Sequence, residues 1–172
     1  MRKENDMNYF FCIIQIFFLY FFSVLSANGE DGMEQNILLT KENIKIQAHM
    51  KQKIYRPDEK IILTITLENN SSTKIIFTDT NIMQNFSWRI MNRKTKQPIE
   101  LTHIGQDLLE TSFFRRIILS IQPQTSYTYS ITMNDFFIFN RKAVYDITVS
   151  GSFLKNQKKV EYKIEGLSVE VK

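Results

Sequence analysis

Few side chains in this sequence are equipped for chemistry. Imidazoles occur only at His49 and His103. A zinc site needs three or four converging ligands. No His/Asp/Glu spacing around either histidine supplies them, so both read as surface residues and no metal site is expected. The single thiol, Cys12, lies inside an N-terminal apolar run. A chain shorn of that run has no disulfide and no thiolate nucleophile. No serine stands in a Gly-x-Ser-x-Gly turn, and no glycine-rich phosphate loop is present. Asp107 and Glu110 fall in one stretch, read as a loop, and could pair. General acid–base work would also need a cleft, which spacing does not supply. These features argue for no catalytic residue, no cofactor and no enzyme.

Recognition is better served. In Thr111-Ser112-Phe113-Phe114-Arg115-Arg116, two aromatic residues stand beside two arginines. Both types are enriched at interface hot spots, so Phe113, Phe114, Arg115 and Arg116 are the candidate protein-binding residues. The plainer alternative is the start of a strand, with one phenylalanine buried and the arginines solvated. The formal charge of +4 is spread thinly, in short pairs such as Arg115-Arg116 and Lys158-Lys159. Nucleic-acid binding would cluster it on one face, so a protein partner is expected and a nucleic acid is not.

What positions these residues is a β-rich chain. Of 172 residues, 43% are hydrophobic and 13% aromatic, enough for a core without disulfide staples. Ile61, Leu63, Ile65 and Leu67 fall on one face of a strand, with Thr64 and Thr66 on the other. Asn43–Met50 and Phe86–Ile90 alternate in the same way. Lys74–Thr78 and Ile99–His103 read as shorter strands, and Ile104–Ser112 as an ordered loop with Gly105 at a special backbone position. Ile117–Pro123, Ser126–Met133 and Ala143–Ser150 read as the central strands of a sandwich. No apolar pattern keeps helical spacing over three turns. Strands about every ten residues indicate an all-β sandwich of seven to nine antiparallel strands.

Several residues have expected structural roles. Pro57 and Pro123 preset φ in turns. Trp88 alternates with Phe86 and Ile90 and reads as core. Tyr145 suits a tyrosine corner, with its ring buried and its hydroxyl bonded to nearby backbone. In the last run, Val160, Tyr162 and Ile164 are apolar at even positions, but Leu167, Val169 and Val171 at odd ones. One extra residue, a bulge at Glu165-Gly166, would let one face take both sets; the alternatives are two strands separated by a turn at Gly166, or a strand that crosses between the two sheets and buries a different face in each.

Four motifs carry a resemblance: Tyr55-Arg56-Pro57-Asp58-Glu59-Lys60-Ile61, Leu67-Glu68-Asn69, Leu119-Ser120-Ile121-Gln122-Pro123-Gln124 and Ala143-Val144-Tyr145-Asp146-Ile147. Together they resemble immunoglobulin-like sandwiches, and more narrowly bacterial exported domains akin to the intracellular proteinase inhibitor family of bacilli. Asp58, Gln124 and Ala143 stand where that family usually has glycine. The resemblance implies the fold, and maps no inhibitory loop onto this sequence.

Residues 1–27 read as a signal peptide, since the apolar run Tyr9–Ala27 ends in Ser-Ala and turns polar. The alternative is an uncleaved anchor, because the run approaches the roughly 20 residues that span a bilayer. Residues 28–40 read as a flexible linker, and 41–172 as the sandwich. The resulting expectation is an exported, non-catalytic protein-binding module, with proteinase inhibition one form of it. The alternative is a structural or envelope-accessory domain held at the membrane by its N-terminal helix. N-terminal sequencing of exported material is expected to begin near Ala27 or Asn28. Recovery of intact Tyr9–Ala27, extractable only by detergent, would mean an anchor.

Overall fold

The computed structural model describes residues 34–111, 117–140 and 142–172. The run Tyr9–Ala27 and the stretch Phe113–Arg116 lie outside them. Ten strands are present among the described residues, in two sheets.

The first strand pair, β1 (Gln35–Lys41) and β2 (Ile44–Met50), is a hairpin in which Lys41 opposes Ile44. Its two loop residues, Glu42 and Asn43, have φ of 53° and 62°. Two successive positive values are the signature of the turn whose twist suits flanking strands. Gln35–Thr40 therefore belongs to a sheet, not to a linker. Three successive apolar residues, Ile37-Leu38-Leu39, hide the alternation that would have marked it.

β3 (Ile54–Tyr55) leads into the Pro57 turn, where the Glu59 N–H donates to the Arg56 carbonyl at 3.1 Å. β4 (Ile62–Asn69) follows, then β5 (Ile75–Asp79), a one-turn helix α1 (Ile82–Asn85) and β6 (Ser87–Asn92). α1 starts where the Asn81 side chain accepts the N–H groups of Met83 and Gln84. α2 (His103–Glu110) stands where a short strand and a loop are expected from the sequence. Ile99–His103 contributes only an isolated bridge, between Leu101 and Phe137. Thr102 caps α2 by accepting the Gly105 N–H at 3.0 Å, and its hydroxyl donates to the Asp135 carbonyl at 2.6 Å. Gly105 is required for closeness rather than for φ: a Cβ there would lie 2.3 Å from the Phe136 carbonyl oxygen.

β7 (Ile117–Ile121), β8 (Thr125–Thr132), a 3-10 turn (Met133–Asp135), β9 (Ala143–Lys155) and β10 (Lys158–Val171) complete the chain. The first sheet has the order β1-β2-β4-β8. The second runs β3-β10-β9-β5-β7, with β6 also paired to β9. Pairing is antiparallel except where β3 joins β10 in parallel. β9 is central, but β7 and β8 each end a sheet, contrary to the expectation that all three would be central.

A single core fills the space between the sheets. Ile44, Ile46, Leu63 and Ile65 come from one side, and Ile147, Val149, Ile164 and Val169 from the other. Tyr145 is buried and its hydroxyl accepts the Asn140 N–H at 3.1 Å. Trp88 packs beside the core against Phe86 and Phe137, and its indole N–H donates to the Ile82 carbonyl. The β9–β10 register shifts between Ile164 and Leu167, with Gly166 at φ 93°. Tyr162, Ile164, Leu167 and Val169 are thereby all buried. Past the bulge, both backbone groups of Ser168 bond the Gln35 carboxamide, at 2.7 and 2.8 Å, tying β1 to β10.

Asn69, at the end of β4, is fully buried. Its amide donates to the carbonyls of Thr73 and Ile121 at 2.9 and 3.0 Å. Its side-chain oxygen accepts the Ser71 N–H and hydroxyl at 3.1 and 2.7 Å. Asn69→Ala would leave several buried groups unpaired. It is expected to cost roughly 3 kcal/mol or more, since each such group costs about 1–3 kcal/mol. A denaturation midpoint within error of the parent chain would contradict this.

Candidate protein-binding edge

The histidines do not form a site. His49 Nδ1 lies 3.1 Å from Glu34, and His103 Nδ1 lies 2.9 Å from Asp107 one helical turn on. Among the described residues no group of three or more His, Cys, Asp or Glu could hold a metal ion. Trp88, Tyr145, Pro57, Pro123 and Gly166 are dispersed through the core and the turns, and do not converge.

The outer face of the second sheet carries an open groove of about 610 Å³, floored by Ser150 and Ser152 with Gln84 and Asn85 on one wall. Lys159 and Lys163 form the other wall, each within 2.6 Å of a glutamate on the same strand, Glu161 and Glu165. These exposed pairs satisfy one another locally and contribute little to stability.

The free strand edges are chemically more distinctive. β8 pairs with β4 through eight consecutive residues, and has no strand on its other side among the described residues. The Met133 N–H donates to the Ile61 carbonyl directly opposite it, at 2.8 Å. Antiparallel ladders alternate. The same parity continued along β8 aims the N–H and C=O groups of odd residues at β4. Those of Ser126, Thr128 and Ser130 then point away, toward the open side. These three residues are also exposed on the outer face.

On the inner face of the same edge, Tyr127 and Tyr129 are only half-buried. Their rings lie 5.0 Å apart, and 5.3 and 6.1 Å from Phe77 of β5. Phe86 meets Tyr129 edge-on at 5.0 Å. Burial first, and the Asp79 carboxylate second, raise the pKa of both phenols. Nearby, β7 leaves Ile117 half-exposed at the end of its inward-facing row, while Ile118, 74% exposed, sits on the outer face of the second sheet beside Ile76 and Leu154. The geometry offers backbone hydrogen bonding flanked by aromatic and aliphatic surface, which suits protein recognition.

Sequence reasoning missed this edge. Tyr127 and Tyr129 alternate with hydroxyl residues as they would in a central strand, so the pattern alone does not mark a sheet's end. Phe113–Arg116 immediately precedes β7 in sequence and lies outside the described residues. No helix among the described residues is long and apolar enough to cross a membrane.

Burial also raises the pKa of Tyr162. The folded state therefore holds the protons of Tyr127, Tyr129 and Tyr162 more tightly than the unfolded chain. The stabilisation is complete below about pH 10, the ordinary range of tyrosine, and is lost as pH rises through the folded-state values. Phenolate absorbance is expected to lag that of free tyrosine, with stability falling above about pH 10. Uniform titration at the free value with flat stability would contradict this.

A family model described as flagellar collar protein C, N-terminal domain, matches residues 43–172. No curated protein matches the chain.

Proposed function

The chain belongs to the family of flagellar collar protein C N-terminal domains, and from that premise we propose that it is a structural, non-catalytic module that binds protein in an envelope-associated flagellar assembly. The family match carries this reading, because it spans the domain from the start of β2 to the last residue. The exposed edge of β8 supports it with a surface suited to a protein partner. Proteinase inhibition is set aside. It rested on motifs at Tyr55–Ile61, Leu67–Asn69, Leu119–Gln124 and Ala143–Ile147, and three of these have plain folding roles here: a proline turn, the Asn69 knot and the Tyr145 corner.

We place the domain outside the cytoplasm, delivered or held by the run Tyr9–Ala27. The apolar composition of that run and the family's flagellar description support this placement. We also read the architecture as immunoglobulin-like. In support, β2-β4-β8 faces β10-β9-β5, with the short β3 in parallel with the last strand.

Electron cryotomography of flagellated cells that carry the chain, with and without its gene, tests the reading. Loss of density around the flagellar motor, restored by the intact gene, is the expected outcome. Unchanged motor architecture would overturn it. A stoichiometric block of a proteinase by the isolated protein would revive inhibition.

A further inference from the structure

The edges of the two sheets are not equally protected. Free edges invite pairing with other chains, and proteins blunt them with charge, proline, bulges, brevity or cover. β10 carries two lysine–glutamate pairs, Lys159–Glu161 and Lys163–Glu165, and the bulge at Gly166. β1 is tied to β10 through Gln35 and Ser168. β3 has two residues and β7 five. Among the described residues β8 has none of these devices. Thr125-Ser126-Tyr127-Thr128-Tyr129-Ser130-Ile131-Thr132 contains no charge and no proline, and keeps one register with β4 throughout.

We propose that β8 is a self-pairing edge. Two copies of this chain join β8 to β8, antiparallel, about a two-fold axis at Thr128, so that two four-stranded sheets continue into one another. The proposal stands on the edge itself, whatever assembly holds the domain.

A second copy is the occupant because β8 complements itself. Antiparallel pairing about Thr128 sets Ser126 against Ser130, Thr128 against Thr128, and Tyr127 against Tyr129. Hydroxyl residues then oppose hydroxyl residues on the outer face, and aromatics oppose aromatics on the inner one. No charge meets a like charge. The groups turned away from β4 belong to Ser126, Thr128 and Ser130, which become the hydrogen-bonded positions of the new ladder. The existing β4–β8 pair already uses this chemistry: Thr66 and Thr128 share a hydroxyl hydrogen bond at 3.0 Å, and Thr64 opposes Ser130. Such cross-strand hydroxyl and aromatic pairs are favourable. The half-buried Tyr127 and Tyr129 gain cover from the added strand. A two-fold interface of this kind closes on itself, and strand addition is an established mode of recognition.

Cysteine crosslinking on the full chain in mild detergent tests the proposal. With Cys12→Ser removing the only native thiol, Thr128→Cys places two thiols opposite each other across the axis. Their Cα atoms would lie about 5.5 Å apart, within disulfide reach. Mild oxidation is expected to give a covalent dimer, while Thr40→Cys, exposed on β1 at the other edge of the sheet, stays monomeric. Independently, Thr128→Lys sets two like charges face to face at an exposed position, and light scattering is expected to show the dimer mass halved with circular dichroism unchanged. Failure to crosslink at Thr128, equal crosslinking at Thr40, or an unchanged mass for Thr128→Lys overturns self-pairing. So does a Thr128 crosslink made to another protein instead of a second copy.

Discussion

The structure depends on one buried amide. Asn69 ends β4 in the first sheet, and its side chain bonds the carbonyl of Ile121, which ends β7 in the second. The same side chain closes the 70–73 turn through Ser71 and Thr73. Its own carbonyl accepts the Gln124 N–H at 2.7 Å, fixing the turn after Pro123. An amide offers two donors and an oxygen with two acceptor positions, and here all are used. Placing such a group in an apolar interior is tolerable only on that condition. The knot therefore sets three things together: where β4 stops, how the chain crosses between sheets after Ile121, and the register in which β8 returns beside β4. That register in turn decides which backbone groups of β8 face outward.

The turns show how this chain manages with little glycine. Glu42, Asn43, Asn156 and Gln157 supply the positive φ of two hairpins, and Gln124 (φ 60°) that of the Pro123 turn. Non-glycine residues in this region carry a cost of about 1–2 kcal/mol each, so the surrounding ladders must hold them. Lys41–Ile44 and Lys155–Lys158 do so by closing each hairpin directly at its turn. Gly166 is kept where both the bulge and positive φ demand it, and Gly105 where the helix touches the Phe136 backbone.

The strands that bury one face fully were legible from alternation alone. Leu63, Ile65 and Leu67 are buried as their spacing requires, and the change of phase after Ile164 marks the bulge. α2 was not legible because it is two turns long, places Gly105 in its first turn and exposes Ile104 and Leu109. Its stability comes from the Thr102 cap and from contact with the 133–137 segment, which is tertiary information. β1 was hidden by its apolar triplet, and β3 by its brevity. The edge position of β8 was invisible for a deeper reason. In an antiparallel sheet, inner and outer faces alternate identically in central and terminal strands. Only the chain's crossing between sheets decides that no described strand lies beyond β8 in its sheet.

That crossing links the fold to recognition. β7 pairs with β5 in the second sheet, so among the described residues β8 has a strand on one side alone. Phe77, Tyr127 and Tyr129 line this edge with rings, whose hydroxyl-bearing members tolerate both water and apolar contact. An ordinary edge left this way would be a liability for aggregation. A charged residue at position 126, 128 or 130 would guard it at little cost to the monomer, since all three side chains are exposed. β10, by contrast, carries Lys159, Glu161, Lys163 and Glu165 on its exposed face. Backbone pairing fixes the direction of an added strand but reads little of its sequence. Selectivity therefore falls to the hydroxyl row outside and the tyrosine pair inside, and both rows are matched by β8 itself.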